Sequence, residues 1–328
     1  MQLSEQQVRF FETFGYLSFP GAFANEAEAI SAEFELVWAE RGGGHEGRVH
    51  DHKQRSAFVP FIDQSEYLSG LIDDPRINGV ASALLGDDYN YETSDGNFYV
   101  GDTRWHSDGF ARTKYRFLKF AFYLDPVTAA SGCLRVIPGS HHRRDGYANA
   151  LHDLMSTSRV DQTEEALGVP GPEVPAVALE TQPGDLIMFN QDLKHASYGG
   201  GTRRRMFTIN VSERFDDEDL DTLRNDVASL VRFWAERAYG DAMVRTAGPE
   251  RMVHLEQRMA NDDHLPALVA KAREEMSEPA RGWRPVGTRR NPGLDSGLSQ
   301  QADRRLVRQF SIGRECRPRA NRDARAGD

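Results

Sequence analysis

Between residues 89 and 211 the chain is a succession of short runs rich in aromatic and β-branched residues, with Gly, Pro and Asp turns between them. The runs are YNYETSDGNFYV, RFLKFAFYL, CLRVIP, PAVALE, DLIMFN and RMFTINV. Phe, Tyr, Val and Ile favour strands because they pack well on a half-buried pleated surface. Several short strands separated by frequent turns predict an all-β sandwich or barrel in this part of the chain.

Helical patterns precede the β region. Residues 1–12 predict a short helix that Ser4 would cap, and a helical pattern also covers about 64–85. Between them, Asn25 could cap a helix whose apolar residues recur at helical spacing and share one face: Ile30, Phe34, Val37 and Trp38.

The chain becomes helical again after Phe215, where DDEDLDTL, PERMVHLEQRM and LPALVAKAREEM each predict a helix. We therefore expect a single domain over residues 1–280, with a helical extension at about 216–278. Residues 281–328 contain twelve arginines and five acidic residues, and Gly and Pro are frequent there. This composition predicts a basic, flexible tail.

Composition excludes several classes of protein. A net charge of −10 argues against nucleic acid as the main partner. No apolar run approaches the roughly 18 residues that a membrane helix needs, and MQLSEQQVRFF does not resemble a secretory signal. Cys133 and Cys316 provide neither a disulfide framework nor a cysteine-ligated zinc site, so a reducing cytoplasm is expected. The oligomeric state stays open.

Within the β region, WHSDG places His106 two residues before Asp108. Residues i and i+2 of a strand point to the same side, so these two side chains can converge on one point. His195 follows the strand DLIMFN and offers a third donor. Two histidines and one carboxylate on one face of an octahedron leave three positions open, which is the arrangement of non-haem iron(II) oxygenases.

A short H-x-[DE] pattern also arises by chance, and His254 and Glu256 form a second one. That pair lies in a helical stretch, where residues two apart project in different directions and do not chelate one ion. For His106 and Asp108, a structural histidine–aspartate pair remains the alternative to a metal site.

Three arginines, Arg203, Arg204 and Arg205, begin the last strand, nine residues or so beyond His195. A guanidinium facing the same cavity could bind a carboxylate bidentately, whereas arginines on the other face would protect a solvated sheet edge. Phe207, Ile209 and Val211 belong together on a packed face. The even-numbered set, which begins with Arg204, is therefore expected to face a polar site.

At this point the sequence resembles the phytanoyl-CoA dioxygenase family of iron(II)- and 2-oxoglutarate-dependent oxygenases. The resemblance covers about residues 1–215, in the order of the family's motifs. It rests on GYLSFPGAF near the start, WHSDG at 105–109, SGCLRVIPGSHH at 131–142, PGDLIMFNQDLKHAS at 183–197 and the arginine-rich strand at 203–205.

The resemblance implies a mainly β fold with flanking helices, built on a double-stranded β-helix (a cupin-like jelly roll) with helices packed on one side. It implies that His106, Asp108 and His195 are the catalytic iron ligands. Arg204 would clamp 2-oxoglutarate, with Arg205 or Arg203 in that role if the register differs. Asn97 or Tyr99, on the strand before WHSDG, would also reach 2-oxoglutarate. His141 matches a position that is not an iron ligand, and we expect it to be structural.

The implied cofactor is Fe(II), with 2-oxoglutarate and O₂ as co-substrates and a small molecule as substrate. The implied reaction hydroxylates a C–H bond and releases succinate and CO₂. Asp108 favours hydroxylation because related halogenases have a small residue in its place. Desaturation, epimerisation and cyclisation use the same ligands and stay open. Two other hypotheses also stay open: a non-catalytic metal-binding jelly roll, and a zinc-dependent cupin-like isomerase or hydrolase.

The substrate itself is not indicated by the sequence. Four basic residues flank the WHSDG motif and could receive an anionic substrate, although an exposed basic edge would explain them equally well: Arg104, Arg112, Lys114 and Arg116.

Overall fold

The computed structural model describes residues 1–109, 113–155 and 163–282. Within these segments ten strands form two antiparallel sheets. The strands are β1 Tyr16–Phe19, β2 Ser56–Phe58, β3 Asn90–Tyr99, β4 Thr103–His106, β5 Phe117–Tyr123, β6 Leu134–Val136, β7 Val177–Leu179, β8 Leu186–Asn190, β9 His195–Ser197 and β10 Arg204–Ser212.

The larger sheet has six strands in the order β1-β8-β5-β10-β3-β2, and the smaller has four in the order β4-β9-β6-β7. Strands that are neighbours in a sheet are mostly distant in sequence. From β3 to β10 the chain passes back and forth between the two sheets. This is the double-stranded β-helix that the sequence predicted.

The central strand of the larger sheet is β10, which pairs with β3 on one side and β5 on the other. Its odd-numbered residues Phe207, Ile209 and Val211 are fully buried against the helices outside the sheet. Met206 packs on the opposite face with residues from both sheets. The predicted division of this strand into a packed odd-numbered face and an inward even-numbered face is confirmed.

Eleven α-helices occur in the described residues. They are α1 Glu5–Phe14, α2 Ala27–Glu40, α3 Glu66–Ser69, α4 Pro75–Leu85, α5 Gly146–Leu154, α6 Thr163–Leu167, α7 Leu220–Val227, α8 Asp241–Arg245, α9 Pro249–Val253, α10 Glu256–Met259 and α11 Leu265–Glu275. Ser4 caps α1 in a capping box, as predicted.

Two sequence predictions about the N-terminal helices are wrong. Asn25 does not cap α2, because the residue before that helix is Glu26 and its side chain makes no capping hydrogen bond. The helical pattern over 64–85 is not one helix. It is interrupted at Asp74, whose carboxylate accepts a hydrogen bond from the backbone N of Arg76 and so caps α4, which begins at Pro75.

The helices do not all lie on one side. Those of the N-terminal half cover the outer face of the six-stranded sheet. Near the smaller sheet, Trp105 and Tyr198 pack with leucines of α5 and α6. The expectation of one helical side is therefore correct for the larger sheet and incomplete for the smaller.

The extension is built from short helices. After α7, residues Ala228–Phe233 form a 3₁₀ helix that ends at Trp234, where φ is 59°. The predicted helix PERMVHLEQRM is likewise divided into α9 and α10. The extension packs on the barrel: Gln257 accepts a hydrogen bond of 2.8 Å from Asn90, and Tyr239 donates one to the carbonyl of Tyr91. These contacts join the extension to β3.

Apart from residues 281 and 282, the predicted basic tail lies outside the described residues, and so does Arg112. Among the residues described, no helix is both long and apolar enough to cross a membrane.

Gly96, in the middle of β3, allows the ring of Phe61 to pack directly against the sheet. A Cβ atom at this position would lie 2.0 Å from Cδ2 of Phe61, which is fully buried. We predict that Gly96→Ala lowers the free energy of unfolding by about 1–3 kcal/mol, because the Phe61 ring has no room to move. Chemical denaturation would measure the loss.

The matched control is Gly146→Ala at the start of α5, where an added Cβ meets nothing within 4 Å. There the unfolding free energy should be unchanged or rise by about 0.4–1 kcal/mol. Equal effects at both positions would contradict the packing argument.

Candidate active site

The two candidate histidines are directly opposite one another in the smaller sheet. β4 pairs antiparallel with β9, and His106 is the partner of His195 in that register. Cross-strand partners project to the same face of a sheet, and the two ring centroids are 4.2 Å apart. The neighbouring Trp105 points to the other face, where its Nε1 donates a 2.8 Å hydrogen bond to the carbonyl of Gly171. This alternation fixes the direction of both imidazoles.

Asp108 follows the end of β4, and its backbone N donates a 2.9 Å hydrogen bond to the carbonyl of Gln191. Its carboxylate oxygens lie 3.6 Å from Nε2 of His106 and 3.7 Å from Nε2 of His195. The ligand atoms of all three residues lie within 4.8 Å of one another. The structure thus brings His195 next to His106 and Asp108, from which it is 89 and 87 positions away in the sequence.

Each histidine is held by the ring nitrogen that does not face Asp108. Nδ1 of His106 is 2.7 Å from the carbonyl of Arg104, and Nδ1 of His195 is 2.8 Å from the carbonyl of Leu193. A carbonyl only accepts, so Nδ1 carries the proton and Nε2 presents its lone pair. This second hydrogen bond fixes the tautomer and the ring orientation that a metal ligand needs.

Burial keeps both imidazoles neutral. It lowers the pKa of His106, and burial together with the neighbouring His106 lowers the pKa of His195 to about 3. Burial alone would raise the pKa of Asp108, but the ammonium of Lys119 and the two imidazoles hold it well below its usual range. The site therefore presents two neutral nitrogen donors and one anionic oxygen donor at neutral pH.

This donor set fits a divalent first-row metal ion with open coordination positions. Two imidazoles and one carboxylate are the ligands of the facial triad of non-haem iron(II), and cysteine is absent from the cluster. The carboxylate of the triad forms an ion pair with Lys119. The Nζ of Lys119 lies 2.6 Å from the Asp108 carboxylate, and both side chains are 12% exposed.

A cavity extends from the triad along the interior of the barrel to Arg204, which is buried at the start of β10. Nη1 of Arg204 donates hydrogen bonds of 2.6 Å to the carbonyl of Gly132 and to Oγ of Ser197. Its Nε has no hydrogen-bond partner among the described residues. Gly132 is required here, because φ is +91° and a Cβ would lie 2.0 Å from Nη1.

The neighbouring arginines do not line this cavity. Arg203 and Arg205 both pair with Glu35 on the helical side of the sheet, at 2.8 and 3.0 Å, and Arg205 also pairs with Asp125 at 2.6 Å. Residues adjacent on a strand point to opposite faces, so Arg204 points into the cavity while Arg203 and Arg205 point away from it. Arg205, which the sequence analysis kept as an alternative 2-oxoglutarate residue, points away from this cavity.

Of the two candidates on β3, Tyr99 lines the cavity and Asn97 does not. The Asn97 side chain is fully buried. It donates to the carboxylate of Asp95 at 2.7 Å and accepts a 2.8 Å hydrogen bond from Nε of Arg55. Arg55 in turn lies over the Tyr99 ring, 4.0 Å from its centroid. Asn97 thus holds Arg55, which lines the cavity, without lining the cavity itself.

Sequence reasoning missed Lys119 and Arg55. Lys119 is the single charged residue in the run FLKFAFY, and its inward position follows from the alternation of β5, so a signal for it existed. Arg55 lies in a polar loop before β2, where nothing in the sequence indicates a direction. The basic residues Lys114 and Arg116 pair with Asp216 and Glu12 instead of lining the cavity.

His141 lies outside the triad, as expected for a residue that is not a metal ligand. Its ring is next to those of His142 and Phe11, and burial, together with His142, lowers its pKa to about 4.

Comparison with known proteins identifies the family. A family model described as phytanoyl-CoA dioxygenase (PhyH) matches residues 11–206, which is more than half of the chain. The chain belongs to the phytanoyl-CoA dioxygenase family. It is accordingly a non-haem iron enzyme that depends on 2-oxoglutarate. No curated protein matches the sequence significantly.

Solved structures with a similar fold include enzymes with different reactions. The carbocyclase SnoK from nogalamycin biosynthesis is 22% identical, with a TM-score of 0.50 over 64% of this chain and 84% of that one. EctD from S. alaskensis with bound Fe is 24% identical (TM-score 0.49; 64% and 77% of the two chains). HygX from Streptomyces hygroscopicus with nickel and 2-oxoglutarate is 15% identical (TM-score 0.48; 66% and 89%). At these identities, the SnoK match supports the fold alone.

The Asp108–Lys119 contact should contribute to the stability of this phytanoyl-CoA dioxygenase family member when a chelator removes metal ions. Lys119→Met should lower the free energy of unfolding by about 3–5 kcal/mol, because it leaves a buried carboxylate without its cation. Urea denaturation in EDTA would measure the loss.

The control variant is Lys114→Met, which removes a lysine whose partners Asp216 and Asp219 lie at the surface. It should cost much less, since exposed ion pairs contribute little. If the two variants were equally stable, Lys119 would not be the main counter-charge of Asp108.

Proposed function

We propose that the protein is an Fe(II)- and 2-oxoglutarate-dependent dioxygenase that hydroxylates an unactivated C–H bond of a small-molecule metabolite. In this reaction 2-oxoglutarate, O₂ and the substrate give succinate, CO₂ and the hydroxylated product. One observation carries the proposal: the cavity that contains the two-histidine, one-carboxylate cluster also contains a buried arginine, Arg204, whose Nε has no hydrogen-bond partner in the part of the chain that the structure describes. A metal-binding protein without turnover has no use for that arginine.

In this proposal His106, Asp108 and His195 hold the iron. When bound, iron supplies the activation of O₂ and the one-electron chemistry that an unactivated C–H bond requires. The protein orients the ligands: the carbonyls of Arg104 and Leu193 fix the two imidazoles, and the backbone hydrogen bond to Gln191 fixes Asp108. Asp108 is the ligand that halogenases of this kind lack, and its presence favours hydroxylation.

Arg204 would bind the distal carboxylate of 2-oxoglutarate. Gly132 and Ser197 hold Nη1, so the guanidinium is oriented before the co-substrate arrives. The Tyr99 ring lies 5.1 Å from the guanidinium carbon and forms a wall of the same cavity. The polar side chains Asp95 and Thr208, which are hydrogen-bonded to each other, close it on another side. The planar guanidinium of a buried arginine matches the geometry of a carboxylate or a phosphate, to which it can donate two parallel hydrogen bonds.

Two further expectations belong to this proposal. The substrate is a small molecule and not a nucleic acid, given the acidic net charge of −10. The reaction takes place in a reducing compartment such as the cytoplasm, which suits the buried free thiol of Cys133. Because carbocyclase and epimerase reactions occur on the same fold in SnoK and SnoN, the product has to be identified directly.

The first test concerns the metal. The purified protein should bind one Fe(II) per chain, and anaerobic addition of 2-oxoglutarate should produce a weak visible charge-transfer band. Asp108→Gly should abolish O₂-dependent succinate formation, because iron loses its anionic protein ligand. Glu256→Gln is a control in the helical H-x-E pattern, and it should change neither readout. Full turnover in the Asp108 variant would show that this residue is a structural partner of His106.

The second test compares the three adjacent arginines. Arg204→Ala should weaken 2-oxoglutarate binding roughly 10- to 150-fold, since a charge-assisted hydrogen bond contributes about 1.5–3 kcal/mol. Arg203→Ala and Arg205→Ala should change it little, because their guanidinium groups face Glu35 and Asp125. Arg204→Lys should recover only part of the affinity, because an ammonium does not form the bidentate fork.

The measurement for this test is the dependence of the charge-transfer band on 2-oxoglutarate concentration. Sensitivity at Arg203 or Arg205 and not at Arg204 would refute the geometry of β10. Equal affinity in all three alanine variants would refute the co-substrate site.

A further inference from the structure

The residues that follow the last helix return to the barrel. Residues 278–282, which we call the strap, have no helix or strand, yet Pro279 and Gly282 are buried. The backbone N of Ala280 donates a 2.8 Å hydrogen bond to the carbonyl of Arg232, and the Ala280 side chain packs against a buried apolar cluster. Ordering an irregular segment costs conformational entropy, so these contacts have to offset that cost.

The strap covers the edge of the larger sheet, where β2 is the last strand. The carbonyl of Ala57 is 3.2 Å from Nδ1 of His45, and Nε2 of His45 is 3.1 Å from the carbonyl of Pro279. Two residues before Ala57, the carbonyl of Arg55 accepts a 3.1 Å hydrogen bond from Nη1 of Arg281. The strap and His45 therefore contact this edge where a further strand would otherwise pair with it.

Arg281 is itself held by a second residue of the strap. Its Nε and Nη2 donate hydrogen bonds of 2.9 and 3.2 Å to the two carboxylate oxygens of Glu278. The hydrogen bonds from Arg281 and Arg48 lower the pKa of Glu278 to about 2, so this carboxylate is ionised at neutral pH. A bidentate pair of this kind fixes the plane of the guanidinium as well as its distance. The orientation of Arg281 toward β2 is thus determined within the strap.

The residue that Arg281 holds, Arg55, reaches into the cavity that extends from the triad to Arg204. The Arg55 guanidinium lines this cavity and lies 4.0 Å from the centroid of the Tyr99 ring. Its Nη2 lies 3.3 Å from the carboxylate of Asp95. Gly282 of the strap lies against the same guanidinium, since a Cβ at Gly282 would be 2.2 Å from Nη1. The strap therefore contacts Arg55 at its backbone and at its charged end.

The charge of Arg55 matters because Asp95 lines the same cavity and is only 3% exposed. Among the described residues, Arg55 is the one cation within 4.0 Å of the Asp95 carboxylate. Its other hydrogen bonds come from neutral groups, the hydroxyl of Thr208 and the amide of Asn97. If Arg55 moved away, an unbalanced carboxylate would face a dianionic co-substrate, and charges repel strongly where little water screens them.

We propose that Arg281 is a positioning residue of the 2-oxoglutarate site. Held by Glu278, it fixes Arg55, and Arg55 balances the charge of Asp95 in the cavity wall. The inference rests on the proposed function, because it concerns the co-substrate that the cavity would bind. It gives the strap, which lies beyond the family match at residues 11–206, a role in the affinity for 2-oxoglutarate.

The first measurement is calorimetric titration of the full chain, loaded with Mn(II) so that no turnover occurs, with 2-oxoglutarate. Arg281→Met should weaken binding about three- to tenfold, the range expected when one hydrogen bond of ordinary strength no longer holds Arg55. Glu278→Gln should weaken it in the same direction, because it releases Arg281. Arg55→Met should have a larger effect, because Asp95 then loses its counter-charge.

The matched control is Arg273→Met on α11. Arg273 also pairs with a glutamate, Glu236 at 3.0 Å, but both side chains are about half exposed and neither lies in the strap. Its affinity for 2-oxoglutarate should equal that of the unaltered protein. An equal loss in Arg273→Met and Arg281→Met would mean that the extension acts only through general stability, and it would overturn the proposal.

A double variant tests whether Arg281 acts through Arg55. Residues that act through one another are non-additive, so Arg281→Met should have little further effect on 2-oxoglutarate affinity in the Arg55→Met background. Additive losses would overturn the positioning role. If Arg55→Met does not fold, the single variants Arg281→Met and Glu278→Gln decide the matter, and unchanged affinity in both would refute it.

A last measurement does not depend on 2-oxoglutarate. Backbone amide hydrogen exchange of residues 54–58, without co-substrate, should be faster in Arg281→Met than in Arg273→Met, because β2 loses a contact at its edge. Equal exchange would show that the strap does not hold this edge. Absence of 2-oxoglutarate binding in the unaltered protein would refute the proposed function. Normal binding that Arg281→Met leaves unchanged would refute only the inference about the strap.

Discussion

The alternation of β10 is the constraint on which the rest of the structure depends. Its odd-numbered residues are buried under the helices, and a shift by one residue would expose Phe207, Ile209 and Val211 while burying two arginines that now pair with Glu35. The hydrophobic face therefore fixes the register, and the register alone decides which of the three arginines is inside. The same strand connects the end of the barrel near Arg204 with the end that faces the extension, so the cavity between the triad and Arg204 inherits its position from it.

A second constraint is electrostatic. A carboxylate as buried as Asp108 is stable only with a compensating charge, and Lys119 supplies one at 2.6 Å. If a divalent ion binds the cluster, Asp108 acquires a second cationic partner beside Lys119. Metal binding and the net charge of the cavity are thus coupled through a single carboxylate. Such coupling would make the interior more attractive for a dianionic co-substrate after the metal has bound than before.

The sequence was informative wherever local periodicity and function coincide. The alternation that selects Arg204 follows from the period of two in a strand, and the family motifs indicated that His195 joins His106 and Asp108. Asp108 lies beyond the end of β4, so its approach to His106 depends on the turn that follows the strand and not on strand alternation. Cross-strand pairing of the two histidines depends on a contact between residues 89 positions apart, which no local pattern encodes. Arg55 and the breaks in the C-terminal helices were missed for the same reason. They are determined by tertiary packing.

The extension and the barrel face different physical requirements. The barrel has to hold ligands for one reaction with little freedom, and it does so with backbone hydrogen bonds to both imidazoles and to Asp108. The extension has to pack against this barrel, and it does so with short helices between which the chain changes direction, as at Trp234, where φ is 59°. Buried Arg258 joins the two parts, because its partners Glu92 and Asp226 belong to the barrel and the extension respectively. This buried charge cluster therefore contributes to the docking of the extension on the barrel. Mutation of either acid would consequently carry a cost in stability, whereas changes at Ser229 or Leu230 would not involve this ion pair.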